Sequence, residues 1–171
     1  TFAVTLQVPA VATSGTYLNT TSTVTGMVGA ESIVGAGTSD SLLVAELTFT
    51  KEFIDAPTVA GGTAILRFTI SNASPTASAT GILFTDNLNA TLLGLTTPGA
   101  LPTDPCGAGS ALVGPSLLIL TGGNLGPTES CTFDVTVQVP GGAAPGDYLN
   151  TTSNLGAMID GSSVALPPAS D

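Results

Sequence analysis

The sequence predicts an all-β fold: an immunoglobulin-like antiparallel β-sandwich in a tandem repeat with a period of 131 residues. Three observations lead to this prediction. Short segments alternate apolar and polar residues with a period of two. Gly, Pro, Asn and Asp cluster between these segments, as they do in turns. One long stretch of sequence occurs twice. Since no segment sustains the apolar spacing of an amphipathic helix, strands with one buried face account best for the pattern.

The repeated stretch sets the domain organisation. Residues 1–40 align without a gap on residues 132–171, and 19 of the 40 positions are identical. The resulting period of 131 residues is too long for a solenoid and has the size of an independent domain. We therefore expect residues 1–40 to be the C-terminal strands and linker of a preceding repeat. Residues 41–171 would then be one complete repeat with its own C-terminal linker.

The strand predictions follow the alternation along the chain. Every second side chain is apolar through residues 64–70 and again through 133–139, which is typical of strands with one face in a core. Roughly seven or eight short strands within about 120 residues indicate two packed antiparallel sheets. The other strands are predicted, in chain order, at 2–8, 16–28, 42–50, 80–85, 91–95, 117–121 and 147–158.

The two cysteines, Cys106 and Cys131, predict one disulfide. They form no CxxC motif and the sequence contains no His, which argues against a zinc site. An even cysteine pair in a chain with only 8% charged residues is typical of an oxidising compartment. We therefore expect an extracellular or cell-surface protein in which the bridge closes a loop of about 25 residues.

Charge excludes several classes of partner. The net charge is −10, and Lys51 and Arg67 are the only basic residues. A nucleic-acid binder needs a patch of Lys and Arg to displace counterions from phosphates, and two separated cations cannot form one. The uninterrupted apolar runs are far shorter than the ~20 residues of a spanning helix. We expect no nucleic-acid partner and no direct membrane insertion by this segment.

Catalytic chemistry finds few candidates. Without His, nucleophilic triads and His-ligated metals are excluded. Two carboxylate pairs could serve a glycosidase, Glu52 with Asp55 and Glu129 with Asp134. Both pairs flank strands, and nothing in the pattern indicates a cleft. We predict that the protein is not an enzyme and needs no cofactor.

A calcium site is the stronger alternative. Asp86, Asn87 and Asn89 form an oxygen-rich turn, and oxygen ligands are those that Ca²⁺ prefers. No EF-hand pattern is present, and the same side chains could instead bond their own backbone in Asx turns. Three further acidic residues lie near the joint between repeats: Asp40, Glu46 and Asp160.

Four asparagines stand in N-x-[ST] sequons and are glycosylation candidates: Asn19, Asn72, Asn89 and Asn150. Asn19 and Asn150 occupy the same position of the repeat. Tyr17 and Tyr148 are also equivalent, and Tyr148 is expected to start a strand and to bury its ring.

Five sequence blocks carry a resemblance to a known family. They are LTFTKEF at 47–53, TVAGGTAILRFTISN at 58–72, ATGILFTDNL at 79–88, LTGGNLGPTESCTFDVTVQVP at 120–140 and GDYLNTTS at 146–153. In this order they resemble the "conserved repeat domain" family of bacterial surface proteins, long labelled domain of unknown function eleven, and its relatives. The resemblance covers nearly all of residues 42–158. It departs from the family at the turn of residues 86–89, where relatives more often have Asp followed by Leu-Pro.

The resemblance implies immunoglobulin-like repeats in secreted or surface proteins, without shared catalytic residues. It also implies that Cys131, before the penultimate strand, pairs with Cys106. We expect a structural repeat of a prokaryotic stalk, fibre or extracellular matrix filament, whose partners are neighbouring repeats or copies of itself. Residues 105–128 carry no charge and leave strand edges poorly protected against such pairing. The alternative is an adhesin module that binds carbohydrate or another cell, with joints stiffened by Ca²⁺.

Overall fold

The structure is a computed structural model that describes residues 3–9, 15–44, 46–56 and 58–171. It divides into two compact units, Thr1–Glu46 and Leu47–Asp171. Both units are built from antiparallel strands, and the described residues include one short helix. The predicted all-β class is therefore confirmed. None of the described residues belongs to a helix long and apolar enough to cross a membrane.

The first unit contains two strand pairs. Strand β1 pairs with β4 and strand β2 pairs with β3, both antiparallel. The side chains of β2 and β3 are exposed along their whole length. The four strands are β1 Gly15–Thr20, β2 Val24–Val28, β3 Glu31–Gly35 and β4 Ser39–Val44.

The second unit is a two-sheet sandwich. One sheet has three strands in the order β10-β6-β5, and the other has five in the order β12-β11-β7-β9-β8. Its elements are β5 Leu47–Phe53, β6 Thr63–Asn72, β7 Ala79–Asn87, α1 Leu88–Thr91, β8 Ala111–Val113, β9 Leu117–Leu125, β10 Ser130–Gln138, β11 Leu155–Ile159 and β12 Ser162–Leu166.

Phenylalanines from both sheets form the centre of the core. Phe68 of β6 and Phe84 of β7 are fully buried, with ring centroids 5.1 Å apart. Phe49 of β5 packs on Phe84 at 4.7 Å, and Phe133 of β10 packs on Phe68 at 5.3 Å. Since these contacts join strands of different sheets as well as neighbours in one sheet, the inner faces of the two sheets pack directly on each other.

Three strand predictions were wrong in extent or type. Residues 91–95 were predicted as a strand, but α1 covers 88–91 because the Asn87 side chain accepts a hydrogen bond from the Ala90 N–H and caps the turn. Of the predicted strand 147–158, only 155–159 is a strand. The predicted strand 2–8 is absent from its described part, residues 3–9, and residues 1–2 lie outside the described ranges.

The two copies of the repeated sequence share their backbone pairing. Val24 faces Gly35 in the β2–β3 pair, and Leu155 faces Leu166 in the β11–β12 pair, which is the same register displaced by 131 residues. The bridge between Thr20 and Ser39 likewise recurs between Thr151 and Ser170. The sequence identity is therefore accompanied by identical local register.

Cys106 and Cys131 form the predicted disulfide, with their Cα atoms 5.2 Å apart and 25 residues between them in sequence. Cys131 belongs to β10 in the three-stranded sheet. The backbone carbonyl of Cys106 accepts a hydrogen bond from the N–H of Asn124, in β9 of the five-stranded sheet. The bridge therefore links the two sheets at a buried position. A disulfide is consistent with a non-reducing environment.

Reduction of this bridge should lower the free energy of unfolding by roughly 3–4 kcal/mol, because the unfolded chain regains the freedom of a 25-residue loop. Guanidinium unfolding of the oxidised and the reduced, alkylated chain measures the difference. The Cys106→Ala/Cys131→Ala double variant is the control for effects of the alkylating group. Equal midpoints for oxidised and reduced chains would contradict the prediction.

Candidate functional site at one end of the sandwich

A buried ion pair joins the two sheets. The Nζ atom of Lys51 in β5 lies 2.8 Å from Oδ2 of Asp86 in β7, and neither side chain has exposed surface. Sequence reasoning treated Lys51 only as a scarce cation and missed this contact. A signal was present, because Lys51 stands at the inward-facing position of β5, two residues after Phe49. Asp86 likewise follows Phe84 on the inward face of β7.

Asn150 and Thr91 extend the pair into a cluster. The Nδ2 atom of the fully buried Asn150 donates to Oδ2 of Asp86 at 3.1 Å. The hydroxyl of Thr91 donates to Oδ1 of Asn150 at 2.9 Å. Within the described part of the chain, Oδ1 of Asp86 is buried and has no hydrogen-bond partner. Residues 51, 86, 91 and 150 are called the polar cluster below.

Burial dominates the electrostatics of the polar cluster. It lowers the pKa of the Lys51 ammonium from its ordinary value, while the Asp86 carboxylate acts in the opposite direction. The ring of Phe68 lies beside the ammonium, with its centroid 5.8 Å from Nζ. The polar cluster thus holds an amine, a carboxyl group and a carboxamide in a space otherwise filled by apolar side chains.

An apolar cavity of about 880 Å³ adjoins the polar cluster, which contributes Thr91 to its wall. Phe53, Ala64, Leu95 and Val137 line its apolar part. Residues 143–149 and Asp171 form another part of its wall. Asp171 is held in place because its Oδ2 accepts a hydrogen bond from the Phe53 N–H at 2.6 Å.

The wall segment 146–149 is an unpaired edge. Asn150 exchanges two backbone hydrogen bonds with Asp171, and Thr152 donates one to Ala169. No backbone hydrogen bond to residues 146–149 is found among the described residues. Tyr148 was predicted to start a strand and to bury its ring. It lies outside the strands and is 38% exposed, with its hydroxyl bonded to the Ala144 carbonyl.

The structure gives each proposed calcium ligand a different partner. The Asp86 carboxylate accepts from Lys51, Asn87 caps α1, and Oδ1 of Asn89 accepts from the Gly94 N–H at 2.8 Å. The three side chains are therefore not assembled as one ligand set. Among the described residues, no group of three or more His, Cys, Asp or Glu side chains could hold a metal ion, and this includes Asp40, Glu46 and Asp160.

The four carboxylates considered for catalysis are separated by their bonds. Asp134 forms a two-pronged, exposed ion pair with Arg67, at 2.8 Å for each contact. Hydrogen bonding from Arg67 lowers the pKa of Asp134. Asp55 accepts from the Ile65 N–H, and Glu129 accepts from the Gly126 N–H. These carboxylates support strands and turns.

The sequons fall into two groups. Asn72 and Asn150 are buried and their amide nitrogens donate hydrogen bonds, so a glycan could be attached there only if the fold opened. Asn19 and Asn89 are exposed. The glycosylation prediction therefore stays open at these two positions alone.

Asn72→Ala should destabilise the second unit by about 2–3 kcal/mol, because a buried amide that bonds two loops is lost. Its Nδ2 donates to the carbonyls of Ala77 and Gly126, and its Oδ1 accepts from the Ser74 N–H. Asn89→Ala, at an exposed sequon, is the matched control and should cost less than about 1 kcal/mol. Chemical denaturation of both variants measures this, and equal losses would contradict the assignment.

Comparison with known proteins reaches a family without an assigned activity. No curated protein matches the chain. Residues 48–167, which span β5 to β12, match the family described as "Domain of unknown function (DUF7933)". This is not the repeat family that the sequence blocks suggested, although both are domains of unknown function. Because the match covers more than half of the sequence and nearly the whole sandwich, the chain belongs to the DUF7933 family.

Proposed function

We propose that this chain is a segment of a tandem array of β-sandwich domains that serves as a stalk, fibre or matrix filament outside the cell. The observation that carries the proposal is that the two copies of the repeated sequence have the same register but opposite vacancies. Each copy lacks the strand partner that the other copy, or the rest of the sandwich, shows it to need.

The N-terminal copy lacks its upstream partner. Residues 134–138 are part of β10, which is paired with β6 along its length. The equivalent residues 3–7 carry nearly the same sequence and are not a strand. Their counterpart of β6 would lie in a preceding domain. The exposed apolar side chains of Val4 and Leu6 would then be covered by that domain's core.

The C-terminal copy lacks its downstream partner. Residues 15–20 are the strand β1 because β4, residues 39–44, pairs with them. The equivalent residues 146–149 are unpaired, and the pairing stops at Asp171, which is equivalent to Asp40. The counterpart of residues 41–44, Ser-Leu-Leu-Val, would continue from Asp171 along this edge. Its leucines would then fill the apolar cavity.

The proposal places the protein in the class of secreted or cell-surface structural repeats, whose partners are neighbouring domains. The disulfide supports an oxidising location, and the order of sequence blocks supports a relation to conserved repeat domains. A carbohydrate-binding adhesin is the second candidate, because the cavity carries two aromatic rings, Phe53 and Tyr148, beside the carboxylates of Asp147 and Asp171. Titration with oligosaccharides, followed by the NMR signals of Tyr148, tests that candidate.

The downstream vacancy gives a direct test. In an antiparallel ladder the hydrogen-bonded pairs recur at every second residue. Since Thr152 and Asn150 are bonded to Ala169 and Asp171, the next bonded amides should be Tyr148 and Gly146. Adding Ser-Leu-Leu-Val-Ala-Glu, the sequence of residues 41–46, after Asp171 should slow hydrogen exchange of the Tyr148 amide by at least about tenfold.

An extension of equal length with Asn in place of both leucines is the matched control and should protect Tyr148 much less. The Tyr17 amide of β1 is the internal reference, since β4 already pairs with it in every chain. Equal exchange of Tyr148 with and without the leucine extension would remove the proposed joint.

Denaturing electrophoresis of native assemblies tests the array itself. After reduction, a continuous array should migrate far above the mass of 171 residues. A single reduced band at that mass would overturn the array.

A further inference from the structure

We propose that Lys51 and Asn150 are joined by an intramolecular amide bond whose formation is catalysed by Asp86. The polar cluster supplies the three groups that the reaction needs: an amine, a carboxamide and a carboxyl group that contacts both. The proposal does not depend on the tandem array, although its mechanical consequence does.

The geometry brings both reacting groups to one oxygen atom. Oδ2 of Asp86 lies 2.8 Å from Nζ of Lys51 and 3.1 Å from Nδ2 of Asn150. All three side chains are fully buried, so the groups are held in contact and bulk water does not compete with the amine. Backbone bonds fix the third member, because Asn150 pairs with Asp171 and Thr152 bridges to Asp86.

The bond forms in three balanced steps. Asp86 takes a proton from the Lys51 ammonium, which leaves a neutral amine and a neutral carboxylic acid. The amine attacks Cγ of Asn150, and one C–N bond forms. The C–N bond to Nδ2 then breaks, with the attacking nitrogen's proton passing through Asp86 to the leaving group. One ammonia molecule is released, and neither an oxidant nor a second substrate is required.

The surroundings favour the neutral pair that the first step produces. An ion pair in an apolar core carries a large desolvation cost, which proton transfer removes. Burial also lowers the pKa of Lys51, which favours the nucleophilic form of the amine. The Thr91 hydroxyl donates to Oδ1 of Asn150, where negative charge develops during the attack. Finally, the unpartnered Oδ1 of Asp86 is free to carry the transferred proton.

The position of the bond gives it a mechanical role in the proposed fibre. Lys51 lies in β5, the first strand of the second unit, and Asn150 lies beyond its penultimate long strand, β10. A bond between them closes residues 51–150 into one covalent ring. Tension entering at Leu47 and leaving at Asp171 would pass through the side-chain bond, so the ring would not extend under load.

Trypsin distinguishes the bonded from the unbonded chain, because Lys51 and Arg67 are the only cleavage sites. The intact chain, reduced and alkylated, should first weigh one ammonia less than its sequence. After denaturation and digestion, an unbonded chain yields residues 1–51, 52–67 and 68–171 separately. In the bonded chain the modified Lys51 resists cleavage, and residues 1–67 and 68–171 remain one species joined through Lys51 and Asn150.

Three variants test the assigned roles. Lys51→Arg keeps the positive charge but has no nucleophilic amine, and Asn150→Ala removes the electrophile. Asp86→Asn preserves shape and removes the proton acceptor. All three should have the full sequence mass and give separate tryptic peptides. Asp134→Asn, in the exposed pair with Arg67, is the matched control and should retain the ammonia loss. Cooperative unfolding of each variant verifies that it has folded.

Each other outcome overturns the proposal. A folded wild-type chain of full mass would exclude the bond. Loss of water instead of ammonia would assign the link to Asp86 and exclude Asn150. Loss of ammonia with separable peptides would identify a succinimide at Asn150 and exclude a cross-link. Persistence of the bond in Asp86→Asn would remove the catalytic role of Asp86.

Discussion

The contact between Lys51 and Asp86 constrains the space between the two sheets. Each charge would be costly alone among the phenylalanines of the core, and removing one partner of such a pair typically costs about 3–5 kcal/mol. β5 and β7 must therefore lie opposite each other at this level of the sandwich. The same carboxylate binds Asn150, so the segment that precedes β11 is positioned by the ion pair as well.

Backbone pairing is the second constraint, and the repeated sequence shows its effect directly. The sequence Tyr-Leu-Asn-Thr-Thr-Ser lies in or next to a strand at residues 17–22, where β4 supplies hydrogen bonds. At 148–153 the same six residues are paired only from Asn150 onward. Local preference is identical in the two copies. The difference therefore comes from the partner segment, since an extended backbone without a partner is only marginally stable.

These two constraints bear on the same end of the sandwich. The polar cluster, the apolar cavity and the unpaired edge share Thr91, Asp171 and residues 146–149. A strand supplied by a following domain would cover the cavity, and an amide bond at the polar cluster would resist opening beneath it. Both features suit a domain that carries tension along a chain. They also explain why a chain with two cations places one of them in its interior.

The sequence by itself determined the fold class, the disulfide and the repeat. Period-two alternation in segments such as 64–70 and 133–139 is a local signal, and two isolated cysteines left only one pairing within the chain. The polar cluster required the tertiary structure, because Lys51, Asp86 and Asn150 are far apart in sequence and meet only when the sheets pack. Asp86 shows the difference most clearly. Beside Asn87 and Asn89 it suggested a calcium ligand, but the pleat of β7 turns its carboxylate inward to Lys51. Which face of a strand is buried decides whether a carboxylate meets solvent cations or an interior amine.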